Sequence, residues 1–131
     1  MDRVERPVIL DTNFLLIPFQ FKIDIFEGIE RILARSHYFV ISSRTIKELE
    51  HIAKGTNKDG RSARLAIKLI EANKGRIEII ENGEEVDLWI EKYAIEKRAV
   101  VCTNDAQLRS KIKREGLRVI SLKNRTKIGV A

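Results

Sequence analysis

The stretch Val8-Ile9-Leu10-Asp11-Thr12-Asn13 constrains this chain more than any other. An apolar run this short, closing on an acid and two small polar residues, reads as a buried strand that delivers Asp11 to the edge of a sheet. In an α/β sheet that edge is where ligands bind. The same grammar returns at Ala99-Val100-Val101-Cys102-Thr103-Asn104-Asp105. Two strands that each hand a carboxylate to the same edge, in a basic protein, point to a metal site that serves a phosphate substrate.

The 131 residues suffice for one domain with a single core. Apolar residues at 44% and charged residues at 34% place the chain among globular proteins and away from the disordered class. No apolar run approaches the roughly 18 to 20 residues that a membrane span needs, and Met1 to Arg6 lead into no signal core, so a cytoplasmic protein without membrane contact is expected. Cys102 is the only cysteine, which excludes an internal disulfide and a thiolate zinc site, and its apolar surroundings predict a buried, inert thiol. A net charge of +6 and a pI near 9.6 favour a polyanionic partner, nucleic acid ahead of an anionic membrane. Abundant Ile, Lys, Arg and Glu with only two Gln residues give the balance associated with hyperthermophiles, an expectation that a melting temperature in the mesophilic range would remove.

Taken in order, Phe14 to Phe21 is apolar and interrupted by Pro18, which predicts a helical turn and a linker. Asp24 stands where an N-cap belongs, before an amphipathic helix from Ile25 to Arg35. Tyr38 to Ser43 is a second strand, and a helix from Arg44 to about Lys54 follows it. Gly55 to Gly60 predicts a mobile loop, and Arg61 to about Asn73 another helix. A strand from Arg76 to Ile80 ends at the turn pair Asn82-Gly83, and an acidic first turn opens a helix from about Glu84 to Lys97. The strand at 99–103, a helix from Asp105 to Arg114, a stop at Gly116 and a strand from Arg118 to Leu122 complete the pattern. Such alternation implies a three-layer α/β/α sandwich with a mostly parallel central sheet. The single domain spans residues 1–131, with a core at about 7–122 and a basic tail at 123–131 that is either a tail or a short closing element.

Asp11, Glu48, Asp87 and Asp105 all fall at strand ends or in the early turns of helices. Phosphoryl chemistry with Mg²⁺ or Mn²⁺ needs carboxylates because these hard ions prefer oxygen ligands. Each acid also has a plainer explanation: Asp105 as an N-cap, Asp87 as a dipole-complementing acid in a first turn, Glu48 as a solvated side chain. Asp11 resists such an explanation, since no clear amphipathic helix begins directly after it.

The ordered set resembles the PIN-domain ribonucleases. Asp11-Thr12-Asn13, Glu48-Leu49, Asp87 with Ile90 and Ala94, and Thr103-Asn104-Asp105 with Leu108 match that family's pattern in order and spacing across roughly positions 7 to 122. The resemblance favours Glu48 over Glu50, and its weakest element is Asp87, with Glu84, Glu85 and Glu91 close by. It implies a PIN-like fold and a metal-dependent endoribonuclease in which Asp11, Glu48, Asp87 and Asp105 bind one or two Mg²⁺ or Mn²⁺. Attack by a metal-activated water would leave a 5′-phosphate and a 3′-hydroxyl.

Asn13 and Thr103 are candidates for holding carboxylates or water in place, with turn and capping roles as the plainer alternative. Lys54, Lys58, Arg61, Arg64 and Lys68 form the best basic cluster for an RNA backbone. His37 and His51 lack a partnering motif and are left out of the site, and Trp89 reads as core. Within the resembled family, Glu48-Leu49-Glu50 and the helix after Gly60 favour the ribosomal-RNA-processing branch, with a ribosome-assembly factor as partner. The alternatives are a VapC-type toxin ribonuclease silenced by an antitoxin, and a non-catalytic RNA-binding module that keeps the fold. A homodimer is compatible with either branch. A receiver-like domain is disfavoured, because the adjacent acids and distant Lys it requires are not arranged here.

Overall fold

A computed structural model describes residues 5–34 and 36–131. Six strands form one sheet in the order β3-β2-β1-β4-β5-β6. These are β1 (Arg6–Leu10), β2 (His37–Ser42), β3 (Ile77–Ile80), β4 (Val100–Cys102), β5 (Val119–Lys123) and β6 (Lys127–Val130). The first five run parallel, and β6 returns antiparallel along β5. Around them lie α1 (Thr12–Leu15), α2 (Ile17–Phe21), α3 (Ile25–Ile32), α4 (Ser43–Ala53), α5 (Lys58–Ala72), α6 (Val86–Lys97) and α7 (Ala106–Arg114). This is the three-layer α/β/α sandwich that the alternation predicts.

The apolar strand runs divide by alternation between two cores. Val8, Leu10, Phe39, Ile41, Val100 and Cys102 face the layer formed by α1 to α5. Ile9, Val40, Val101 and Val119 face α6 and α7. A strand buried on both faces reads as one continuous apolar run, which is why 8–10 and 99–102 looked unbroken in the sequence. Phe39 is fully buried and meets Phe26 edge to face at 5.0 Å. Burying a side chain of that size contributes about 2–3 kcal/mol.

The strand order fixes where a site can form. From β1 the chain moves to β2 and β3 on one side, then crosses to β4 on the other, so the connections diverge between β1 and β4. At the carboxyl ends of those two strands the diverging connections leave a crevice, and Asp11 and Thr103-Asn104-Asp105 stand directly beyond them.

Several boundaries differ from the sequence reading for local reasons. The residues after Asp11 form two short helices rather than a turn and linker: Asp11 caps α1 through Thr12 N, and Pro18 sits in the first turn of α2, where no amide donor is needed. Four residues are too few for α1 to display amphipathic periodicity. Helix α3 stops at Ile32 because Leu33 adopts an extended conformation; Arg35, read as part of that helix, lies outside the described residues. The loop read at 55–60 is confined to 55–57. Helix α5 begins at Lys58, capped by Asn57 Oδ1, which accepts from Gly60 N at 2.9 Å, and Gly60 is buried against Gly55. The basic tail closes the sheet as β6 through a three-residue turn, 124–126, in which Asn124 and Arg125 are both left-handed, at φ 51° and 60°.

Candidate active site at the carboxyl ends of β1 and β4

Asp11 is only 4% exposed and is held on both carboxylate oxygens. Its Oδ1 accepts from Thr12 N at 2.8 Å, while its Oδ2 accepts from Thr103 Oγ1 at 2.7 Å and from Asn13 Nδ2 at 3.1 Å. Its own amide donates to the carbonyl of Cys102 at 3.0 Å, which joins the two strand ends. The structure thus ties both suggested supporting residues, Asn13 and Thr103, directly to Asp11.

The links continue outward. Asn13 Oδ1 accepts from the amide of Asn104 at 2.9 Å, and Asn104 Oδ1 accepts from that of Leu122 at 2.9 Å, so β1, the β4–α7 loop and β5 are stitched together. Thr103 Oγ1 also accepts from the amide of Asp105 at 3.0 Å. Asp105 in turn caps α7 through Leu108 N at 2.9 Å, so its plainer reading as a cap is realised.

Asp11, Glu48 and Asp87 line one cleft of about 380 Å³, together with Asn13 and Glu85. Asp105 does not line that cleft but stands near enough to Asp87 to raise its proton affinity. Glu48 reaches the cleft from exposed positions on α4, a helix coupled to α1 by the hydroxyls of Thr12 and Thr45, 3.4 Å apart. Glu50 lies outside the lining. Of the acids that compete with Asp87, Glu84 pairs with Lys92 at 2.8 Å, whereas Glu85 enters the cleft.

Burial pushes the Asp11 carboxyl up to about 6, against the opposing pull of its bonds from Thr103 and Thr12, and the charges of Asp87 and Glu48 add to the rise. Asp87 is also raised, first by desolvation, then by Asp105 and Glu85, while Lys111 counteracts. Asp11, Glu48, Glu85, Asp87 and Asp105 therefore form one electrostatic unit. Among the described residues, no group of three or more acid, histidine or cysteine side chains is arranged to hold a metal ion directly. The donor set is nevertheless all carboxylate oxygen, which suits a hard cation that keeps much of its water and touches one or two carboxylates.

One anchor escaped the sequence reading. Asn82 looked like a simple turn residue, yet its Nδ2 donates to Ser42 Oγ at 3.1 Å and to the carbonyl of Glu84 at 3.1 Å, and its Oδ1 accepts from Glu84 N at 2.9 Å. Arg44 Nη1 adds a bond to the carbonyl of Gly83 at 3.2 Å. The loop that leads to Glu85 and Asp87 is thereby fastened to the start of α4. The only sequence signal was a pair of serines in one segment and an Asn in another, 39 and 40 residues apart.

Lys54, Lys58, Arg61, Arg64 and Lys68 are all exposed. Arg64 differs from the others because its Nη1 donates to the carbonyls of Ala53 and Gly55, at 2.7 and 2.8 Å, closing the end of α4. His37 lies 3.3 Å from Glu30, away from the carboxylates, and Cys102 is fully buried, which raises its thiol far above the ordinary range. Among the described residues no helix is long and apolar enough to cross a membrane.

A PIN-like domain family matches residues 8–125, and the chain belongs to that family. It is 30% identical over 120 residues to Ribonuclease VapC4 of Methanocaldococcus jannaschii, covering 90% of this chain and 91% of that relative. It is likewise 30% identical over 127 residues to Ribonuclease VapC9 of Archaeoglobus fulgidus, covering 95% of this chain and 89% of that protein. Among solved structures, the PIN domain endonuclease Utp24 shares the fold with a TM-score of 0.76 and 29% identity, over 95% of this chain and 90% of that one.

Proposed function

We propose that this protein is a metal-dependent endoribonuclease that hydrolyses RNA phosphodiester bonds. The observation that carries the reading is the convergence of Asp11, Glu48 and Asp87 on one cleft at the divergence point of a PIN sheet, with Asp105 electrostatically joined to them. Asp11, Glu48, Asp87 and Asp105 would hold Mg²⁺ or Mn²⁺, directly or through water. A divalent ion so held supplies an acidified water nucleophile and offsets charge on the phosphate.

The protein's own groups divide the remaining work. Thr103 and Asn13 hold Asp11 ionised and in one orientation, so that the carboxylate need not reorganise as charge develops. The loop fastened by Asn82 brings Glu85 and Asp87 to the cleft that Glu48 also lines. The exposed Lys54, Lys58, Arg61 and Lys68 supply backbone attraction without base selection, with Arg64 serving chiefly to close α4.

Likeness to the PIN domain endonuclease Utp24 over nearly the whole chain supports an endonuclease; the processing reading, with rRNA as substrate and a ribosome-assembly factor as partner, rests on Glu48-Leu49-Glu50 and the helix after Gly60. The two relatives named as VapC ribonucleases support the second reading, a toxin nuclease silenced by an antitoxin.

The test is cleavage of a structured and a single-stranded RNA with Mn²⁺, Mg²⁺ or EDTA, comparing the natural protein with Asp11→Asn. Metal-dependent cutting that Asp11→Asn abolishes is expected. A folded protein that binds RNA but cuts neither substrate with any metal would replace this reading with that of a binding module.

A further inference from the structure

The sheet has a second charged edge. Where β1, β2, β4 and β5 begin, opposite the carboxylates, lies a cleft of about 610 Å³. Arg6, Arg98 and Arg118 line it, over a floor that includes Leu33, Val100 and Leu117. That volume falls within the range of small-molecule sites, and an apolar floor with a few convergent polar groups is their usual composition. Among the described residues that line it there is no carboxylate.

Arg98 and Arg118 are exposed and Arg6 is half-buried, so one cleft is bordered by three positive charges that a bound anion would complement. A plainer account is that arginines answer the negative ends of helices that terminate at this edge. It explains Arg6, whose Nη1 donates to the carbonyl of Arg98 at 2.9 Å. It leaves Arg98 and Arg118 unexplained, since neither side chain donates a hydrogen bond to a described carbonyl. Arg98 also occupies a left-handed position, φ 54°, where a glycine would be less strained.

We propose that this cleft binds a nucleoside phosphate, with the phosphate held by Arg6, Arg98 and Arg118 and the nucleoside resting on the apolar floor. Guanidinium forks suit phosphate oxygens in both geometry and charge. The ligand is either a free nucleotide or the terminal nucleotide of an RNA strand. The five residues of β1 separate this cleft from Asp11 by about 17 Å, so occupancy leaves the carboxylate cleft open.

The experiment is calorimetric titration of the full chain in EDTA with adenosine 5′-monophosphate, adenosine, and a short oligoribonucleotide with and without a 5′-phosphate. EDTA removes divalent ions from the carboxylate cleft, so binding here is read independently of nuclease activity. The monophosphate is expected to bind at least about tenfold more tightly than adenosine, and Arg98→Gly with Arg118→Ala to remove that advantage. Arg98→Gly alone relieves the left-handed strain and keeps a folded variant in hand. Preference for the free monophosphate identifies a nucleotide site; preference for the 5′-phosphorylated strand identifies an RNA-end site. Equal binding of adenosine and its monophosphate, or phosphate binding untouched in Arg98→Gly and the double variant, would overturn the proposal and leave the arginines as helix-end partners.

Discussion

Thr103 donates its hydroxyl proton to Asp11 Oδ2 at 2.7 Å while the same oxygen accepts from the amide of Asp105 at 3.0 Å. One side chain therefore stabilises the buried carboxylate and fixes the next acid in the chain. Thr103→Val removes both bonds at nearly constant volume. A hydrogen bond to a charged group is worth about 1.5–3 kcal/mol, so the Asp11 carboxyl should rise further above its value near 6. The expected outcome is a cleavage rate reduced at least about tenfold at neutral pH, with the acid limb of the pH–rate profile moved to higher pH. Thr103→Ser should restore both. A profile unchanged in Thr103→Val would mean that the hydroxyl does not govern the charge on Asp11.

Asp11→Asn should separate stability from activity. Because burial raises the folded-state value from 3.8 to about 6, the folded chain binds this proton more tightly than the unfolded chain does. The contribution of Asp11 to stability therefore falls as pH climbs through the window from about 4 to 6, and at pH 7 its charge costs about 3 kcal/mol in the metal-free protein. The amide removes that cost but loses one acceptor, worth about 1–2 kcal/mol, among Thr12, Asn13 and Thr103. Thermal melts in EDTA should show Asp11→Asn more stable by about 1–2 kcal/mol at pH 7.5 and no more stable at pH 4, although it cuts nothing. Destabilisation at pH 7.5 would show that the hydrogen bonds outweigh the buried charge.

The distinction between what the sequence disclosed and what it hid follows from the range of the forces involved. Strands buried on both faces announce themselves as apolar runs, and that is how Asp11 and Asp105 could be placed at one sheet edge before any coordinates. Glu48 was harder to place, because an exposed acid on α4 carries no local mark of the cleft it lines; only its position before Leu49 in a resembled pattern singled it out. Helix α1, only four residues long, gave no periodicity, and β6 has a single buried apolar residue, Ile128. Arg125 at a left-handed turn position, where glycine is usual, hid the β5–β6 hairpin that turns through it. Asn82 was invisible as an anchor because its partners on β2 and α4 are distant in the chain.

Gly60 illustrates a residue whose reason is purely spatial. A Cβ at this position would lie 2.0 Å from the carbonyl oxygen of Gly55 and 2.7 Å from its carbonyl carbon, so the backbone itself blocks any side chain. In an unobstructed helix Gly→Ala gains about 1 kcal/mol. Here Gly60→Ala should instead cost about 2–4 kcal/mol, because α5 must lift away from the end of α4 and Arg64 loses its bonds to Ala53 and Gly55. Urea denaturation with an unchanged m-value and a lowered midpoint would register this. A neutral or stabilised Gly60→Ala would show that the α4–α5 turn yields more readily than its packing implies.

Asn82→Ala tests whether the site depends on a loop as much as on its acids. The substitution deletes the bonds to Ser42 and Glu84 and leaves the buried Ser42 hydroxyl to cap only Arg44 N. Three bonds of this kind, partly replaceable by water, amount to about 1–3 kcal/mol of stability. The larger consequence is positional: Asp87 lies five residues beyond Asn82, and an acid displaced by about 1 Å from its working geometry can lower a rate about a hundredfold. The expected signature is a modestly lowered melting temperature with a strongly lowered kcat and a nearly unchanged KM for RNA, since the basic residues on α5 are untouched. Asn82→Asp, which keeps the acceptor for Glu84 N but not the donors, should fall between the two, and equal kcat in all three proteins would detach the loop from catalysis.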